Sequence, residues 1–132
     1  MNDEIKFTLN ELSFTWDDRK AAANFRKHKV SFELAAEVLF DDYAIDMTDE
    51  QHNQDEDRRQ IIGATNGKLR VLFVVYVERV RHDNVELIRI ISARDANRKE
   101  AELYGLVLPQ GRLSEKPRRS NKSRNVRKRR RH

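Results

Sequence analysis

The chain contains no cysteine, so disulfides and thiolate chemistry are excluded. No apolar run approaches the ~18 residues that a membrane-spanning helix needs. The start, Met1-Asn2-Asp3-Glu4, is acidic and lacks an apolar signal segment. A cytoplasmic protein with no membrane partner is therefore expected. Histidines stand at 28, 52, 82 and 132, with no His-x-x-x-His pair, so metal-ligand spacing is absent and no cofactor is expected. No internal repeat is evident.

What remains is a polar, highly charged chain of 132 residues, 37% charged and 38% hydrophobic. That suits one globular domain with a modest core. The net charge of +5 conceals a strong asymmetry. Residues 112–132 carry eleven Lys/Arg against the single acidic residue Glu115, a net of +10, whereas residues 1–111 carry a net of −5. The basic character belongs to the end of the chain, as in a polyanion-binding extension on a near-neutral domain. The chain divides into a folded domain over 1–110 and a basic tail over 111–132, which is expected to be disordered when free.

Local signals order the domain. Asp17 or Asp18 caps a first helix, which continues through Ala21-Ala22-Ala23 to Lys27 and His28, cations suited to a helix C-terminus. Ser31 opens a second, whose apolar stripe is Phe32, Ala35, Ala36, Leu39 and Phe40, with Asp41-Asp42 as its end. Strand-like runs follow at 43–48, 58–65, 69–79 and 85–94. Asn66-Gly67 is a hairpin signal between the second and third, and His82-Asp83-Asn84 a turn between the third and fourth. A polar loop spans 49–57. A short third helix from Asp95 includes Ala96, Lys99, Glu100, Leu103 and Tyr104, with Gly105 and Pro109 to stop it.

In the third of these strands, Leu69, Val71, Phe73, Val75 and Val77 form the more apolar face, which is expected to lie on the helices. In the fourth, simple alternation puts Arg89 with Ile91 and Ala93, and Arg94 on the opposite face, but does not settle which way Arg89 points. Arg79, Arg89 and Arg94 could clamp a phosphate, since guanidinium is always charged and its fork matches phosphate oxygens. The plainer alternative is pairing with Glu78, Glu86 or Asp95. Tyr76 and Tyr104 could stack on a base or donate a proton, or simply fill the core. His52 lies in the polar loop six residues before Arg58, and imidazole suits proton transfer near neutrality. The tail run Arg127-Lys128-Arg129-Arg130-Arg131 binds any polyanion through counterion release, but without interleaved aromatics it offers no base stacking.

Two motifs tie these features together. The first is Trp16-Asp17-Asp18-Arg19-Lys20, with Asn24 and then Lys27-His28-Lys29-Val30-Ser31-Phe32-Glu33. The second runs from Leu72 to Arg79 and resumes in Arg89-Ile90-Ile91-Ser92-Ala93-Arg94. With His52, Arg58, Gly63, Ala96, Glu100 and Tyr104, they resemble the BrnT-type ribonuclease toxins of bacterial type II toxin–antitoxin systems, over roughly residues 14–104.

The resemblance implies a RelE-like α+β fold: two N-terminal helices, a small antiparallel four-stranded sheet and a short C-terminal helix. It also implies metal-independent RNA cleavage that stops translation. The partner it implies is a cognate BrnA-type antitoxin, through whose complex alone operator DNA is met. Three features depart from the family pattern. Lys29 replaces a glycine, Arg59 stands where an aromatic is common, and the tail is longer.

Such cleavage uses the RNA 2′-hydroxyl as nucleophile and needs a base, an acid and cations on the phosphate. Arg79 and Arg89 are the expected phosphate clamp, Arg58 or Arg94 assistants, His52 the proton carrier, and Tyr76 or Tyr104 the reserve. The rival readings are a non-catalytic nucleic-acid-binding regulator and an antitoxin-like interaction module.

Charge placement generates a first test. Deleting residues 112–132 should weaken RNA affinity and flatten its salt dependence, by about 0.7 in log–log slope for each phosphate that the tail neutralises, while cleavage at saturating RNA persists. Abolished cleavage at saturation would place the tail in the active site.

Overall fold

Ahead of the first helix, Leu12, Phe14 and Trp16 alternate with Ser13, Thr15 and Asp17, and this period-two pattern forms a strand. The computed structural model describes residues 4–48, 58–67, 70–80 and 86–109. Its elements are β1 (Glu4–Leu9), β2 (Leu12–Asp17), α1 (Asp18–His28), α2 (Phe32–Val38), β3 (Ile45–Thr48), β4 (Arg58–Ala64), β5 (Val71–Val80), β6 (Glu86–Asp95) and α3 (Arg98–Val107). The strands form one sheet in the order β1-β2-β6-β5-β4-β3. All neighbours are antiparallel except β2 and β6, which run parallel.

The expected four-stranded antiparallel sheet is thus corrected to a six-stranded mixed one. The missing piece is the β1–β2 hairpin. Its turn, Asn10-Glu11, has both residues at positive φ (49° and 72°), the conformation of a two-residue type I′ turn. Asparagine suits that turn, but glutamate in place of glycine removes the usual signature. The parallel contact pairs Ser13, Phe14 and Thr15 with Leu87, Ile88 and Arg89. No strand-to-strand turn can make such a pair, so the chain between them must cross over.

The helices start where short polar side chains cap them. Asp17 accepts from the amides of Arg19 (2.8 Å) and Lys20 (3.2 Å). The Lys20 amide, helped by that of Arg19, holds the Asp17 carboxyl below its ordinary range. Ser31 caps α2 through the Leu34 amide. Asn97 and Glu100 form a reciprocal capping box on α3. That helix passes through Gly105, where an added Cβ would meet nothing, and stops at Leu108 in extended backbone before Pro109.

Helices α1 and α2 cover one face of the sheet, with Trp16, Phe14, Phe32, Leu39, Ile61, Val74, Tyr76, Ile88 and Ile90 in the core. Trp16 meets Phe32 edge-on at 5.8 Å. On the other face α3 brings Tyr104 and Leu108 onto Ile62, Ala64, Val71 and Phe73. The expected facing of β5 is therefore corrected: Leu72, Val74 and Tyr76 lie under α1 and α2, and Val71 and Phe73 under α3. A strand covered on both sides is apolar on both, so its pattern alone could not choose. Gly63 lets α2 approach β4, since a Cβ there would lie 2.8 Å from Val38 Cγ1.

Asn24 fastens α1 to the sheet. Its amide donates to the carbonyls of Ala93 (2.8 Å) and Val30 (3.1 Å), and its carbonyl accepts from the Ala93 amide (3.2 Å). Arg70 grips the next turn, donating to Asp95 through two nitrogens and to the Lys29 carbonyl at 3.1 Å. Lys29 itself ends α1 in the left-handed region, at φ 60° and ψ 32°, and donates its amide to the Phe25 carbonyl.

A side chain in that conformation costs about 1 kcal/mol relative to glycine. Lys29→Gly should raise stability by about 0.5–1 kcal/mol, less the small contribution of the lysine side chain itself. Thermal melting checks this, and a lower midpoint in the glycine variant would contradict it.

Candidate functional site

One residue in β6 decides which arginines share a face. Opposite β5 the register shifts between Val75, which pairs with Ser92, and Tyr76, which pairs with Ile90, leaving Ile91 out of the ladder. The bulge restores Ile90 and Ala93 to the same buried core and returns Arg94 to the face of Arg89. The alternation expected for this strand is corrected accordingly.

Across the sheet, Arg58, Val77, Arg89, Thr15 and Lys6 occupy one cross-strand row on β4, β5, β6, β2 and β1. Arg79, two residues beyond Val77 on β5, shares their face and is exposed. A cleft of about 420 Å³ opens here, lined by Arg79 and Arg89 together with Glu4, Lys6, Ser13 and Thr15. Two expected site residues thus meet in one concavity. Arg58 sits in the same row but does not line the cleft; it is half-buried and two strands from Arg89, about 10 Å by strand spacing.

The cleft is not purely basic. Arg89 Nη1 donates to the Glu4 carboxylate, and the Thr15 hydroxyl reaches both that carboxylate and the Ile5 carbonyl, the latter at 2.8 Å. Its single proton serves one of them at a time. The five polar residues contributed by the hairpin, Glu4, Lys6, Thr8, Ser13 and Thr15, were missed by sequence reasoning. The only available signal was the alternation of β1 and β2, which places them on the polar face.

The other expected residues lie elsewhere. Arg94 is held by Glu100 in a two-point contact (2.8 and 3.0 Å) and sits over the Phe73 ring at 4.3 Å. That hydrogen bonding holds Glu100 below the usual carboxylate range. Tyr76 is fully buried and donates to Asp46, whose nearer oxygen is 2.8 Å away. Arg59 reaches the same carboxylate at 3.3 Å. Tyr104 is buried and donates to Asp41 Oδ2 at 2.6 Å. Neither tyrosine offers an open ring face for a base. His52 and the run from Arg127 to Arg131 lie outside the described residues. Among the described residues no three His, Asp or Glu side chains gather as a metal site, and no helix is long and apolar enough to cross a membrane.

A mixed sheet with helices on both faces and an arginine-lined cleft fits a small nucleic-acid-processing protein. Residues 16–100 match the model of the ribonuclease toxin BrnT of type II toxin–antitoxin systems, and the chain belongs to that family. The family pairs each such toxin with an antitoxin protein. Comparison with curated proteins gave no match.

Burial, and secondarily the Asp41 carboxylate, pushes the Tyr104 hydroxyl well above its ordinary range, so it stays neutral and donating. Because the folded value exceeds the unfolded one, the stability Tyr104 supplies is complete below about pH 10 and falls as pH rises past it. Tyr104→Phe should cost about 1–2 kcal/mol at neutral pH, reduce that alkaline loss and leave RNA affinity unchanged. Denaturant melts at several pH values, with RNA titration, check this; weaker RNA binding by a stably folded variant would contradict it.

Proposed function

We propose that this protein is a metal-independent endoribonuclease that cleaves RNA, inhibits translation in the cytoplasm and is neutralised by a cognate BrnA-type antitoxin. Operator DNA is then met only through the antitoxin complex. The observation that supports this best is the convergence of Arg79 and Arg89, from paired strands, in one open cleft beside Lys6. Three cations in a concavity on a sheet face suit a phosphodiester, whose charge grows as the 2′-oxygen attacks. In this reading Arg79 and Arg89 hold the non-bridging oxygens, Arg58 contributes long-range charge from the same row, and His52 moves a proton. The folded unit is 1–110, and the tail over 111–132 adds sequence-independent RNA affinity.

Membership of the family supports the ribonuclease class, and the cleft supports the choice of residues. Arg94 contributes less here than the sequence suggested, because Glu100 already occupies its fork.

Arg79→Ala and Arg89→Ala should each lower the cleavage rate on a single-stranded RNA by about 10²–10³, with circular dichroism unchanged. Lysine at either position should rescue poorly, because an ammonium cannot reproduce the bidentate fork. Arg118→Ala in the tail should have little effect. RNA bound but left intact by the wild-type chain would favour a non-catalytic nucleic-acid-binding regulator.

A further inference from the structure

The family match begins at residue 16, yet five of the cleft's polar side chains precede it: Glu4, Lys6, Thr8, Ser13 and Thr15. One of these is the cleft's only carboxylate among the described residues, and it is held with care. Glu4 lies on an edge strand, with its side chain about one-quarter exposed, between the Arg89 guanidinium and the Thr15 hydroxyl. The Ile5 carbonyl is the alternative acceptor for that hydroxyl. An ordinary surface ion pair has neither the second donor nor the enclosure.

We propose that Glu4 is the general base of the cleavage reaction assigned above, an inference that rests on that assignment. The carboxylate accepts the proton of the RNA 2′-hydroxyl as the 2′-oxygen forms its bond to phosphorus. The bond from phosphorus to the 5′-oxygen breaks, that oxygen takes up a proton from an acid or from water, and the products are a 2′,3′-cyclic phosphate and a free 5′-hydroxyl. A guanidinium carries five N–H donors, so Arg89 can hold Glu4 through Nη1 and still present other donors to the phosphate. The base and the cation are thereby fixed relative to one another, the geometry the reaction needs, since nucleophile and phosphorus are adjacent in the substrate. Thr15 is a positioning residue that orients the carboxylate. This assignment leaves His52 to act as the acid rather than the base.

The test uses the full-length chain, a single-stranded RNA oligonucleotide of mixed sequence, and the same oligonucleotide with 2′-deoxy sugars. Glu4→Gln keeps an acceptor for Arg89 and Thr15 but cannot take up a proton. It should cleave about 10²-fold or more slowly while remaining folded and binding RNA no more weakly than wild type. Glu4→Asp keeps the carboxylate and should retain partial activity. Products should end in a 2′,3′-cyclic phosphate, and the deoxy oligonucleotide should resist.

A Glu4→Gln rate within about threefold of wild type would overturn the assignment. If that variant does not fold, the wild-type products decide: cleavage of the 2′-deoxy oligonucleotide, or products without a 2′,3′-cyclic phosphate, overturns it equally. Normal Glu4→Gln cleavage alongside a dead Arg79→Ala variant removes Glu4 alone and leaves the arginine site standing. Intact RNA with the wild-type chain removes both.

Discussion

The outer edge of β6 is the constraint on which the rest of this structure depends. Its first half is satisfied by β2, running parallel through Ser13, Phe14 and Thr15. Then β2 ends and the chain turns into α1, leaving the backbone of Ala93 without a strand partner on that side. Asn24 takes over, presenting a side-chain amide that donates to the carbonyl and accepts from the N–H as a strand would. The same contact sets the position of α1, and through Val30 the start of α2. Without it the helix would rest on the sheet with no fully buried residue of its own. The parallel pairing also carries the N-terminal hairpin to Arg89, so one edge organises both the helical layer and the cleft on the opposite face.

The two faces of the sheet are closed by different physics. Under α1 and α2 the seal is mainly aromatic and aliphatic packing, with Trp16 between Phe7 and Phe32. Under α3 the apolar patch is smaller, and a buried carboxylate does much of the joining. Asp41 accepts from the Ala64 amide at 2.8 Å, the Tyr43 amide at 3.1 Å and the Tyr104 hydroxyl, linking the end of α2, strand β4 and α3. A buried carboxylate so fully hydrogen-bonded specifies one arrangement, because any slip leaves donors or acceptor unsatisfied. The apolar contacts of α3 fall on β4 and β5, and the cleft with Arg79 and Arg89 lies on the part of that face formed by β5, β6, β2 and β1.

Polar pairing sorts the arginines by availability. Arg70 and Arg94 are spent on Asp95 and Glu100, where they hold the ends of β5, β6 and α3 together. Arg89 is also paired, but to Glu4 inside a cleft, where the partner carboxylate faces the same opening. For Arg89 and Arg94, the expected pairing with Glu78, Glu86 or Asp95 gives way to ion pairs with Glu4 and Glu100. The partners come from 85 residues away for Arg89 and from the following helix for Arg94.

Much of this protein was legible before its fold. Caps such as Asp17 and Ser31 act within a few residues, so local chemistry suffices to place helix starts, and the runs that became β3 to β6 show their apolar content directly. The motif from Trp16 to Glu100 carried the family. What the sequence could not decide were relations between distant segments. The Asn10-Glu11 turn lacks a glycine, so the hairpin it closes went unread. A bulge at Ile91 inverts the facing of everything beyond it, and nothing in the run Arg89-Ile90-Ile91-Ser92-Ala93-Arg94 announces where the extra residue falls. Tyr76 and Tyr104 became core donors only because Asp46 and Asp41 were brought beneath them. Composition and short-range patterning determined which elements form and to what family they belong; strand order and register, set by long-range packing, decided which arginines share a cleft and that Glu4 faces them there.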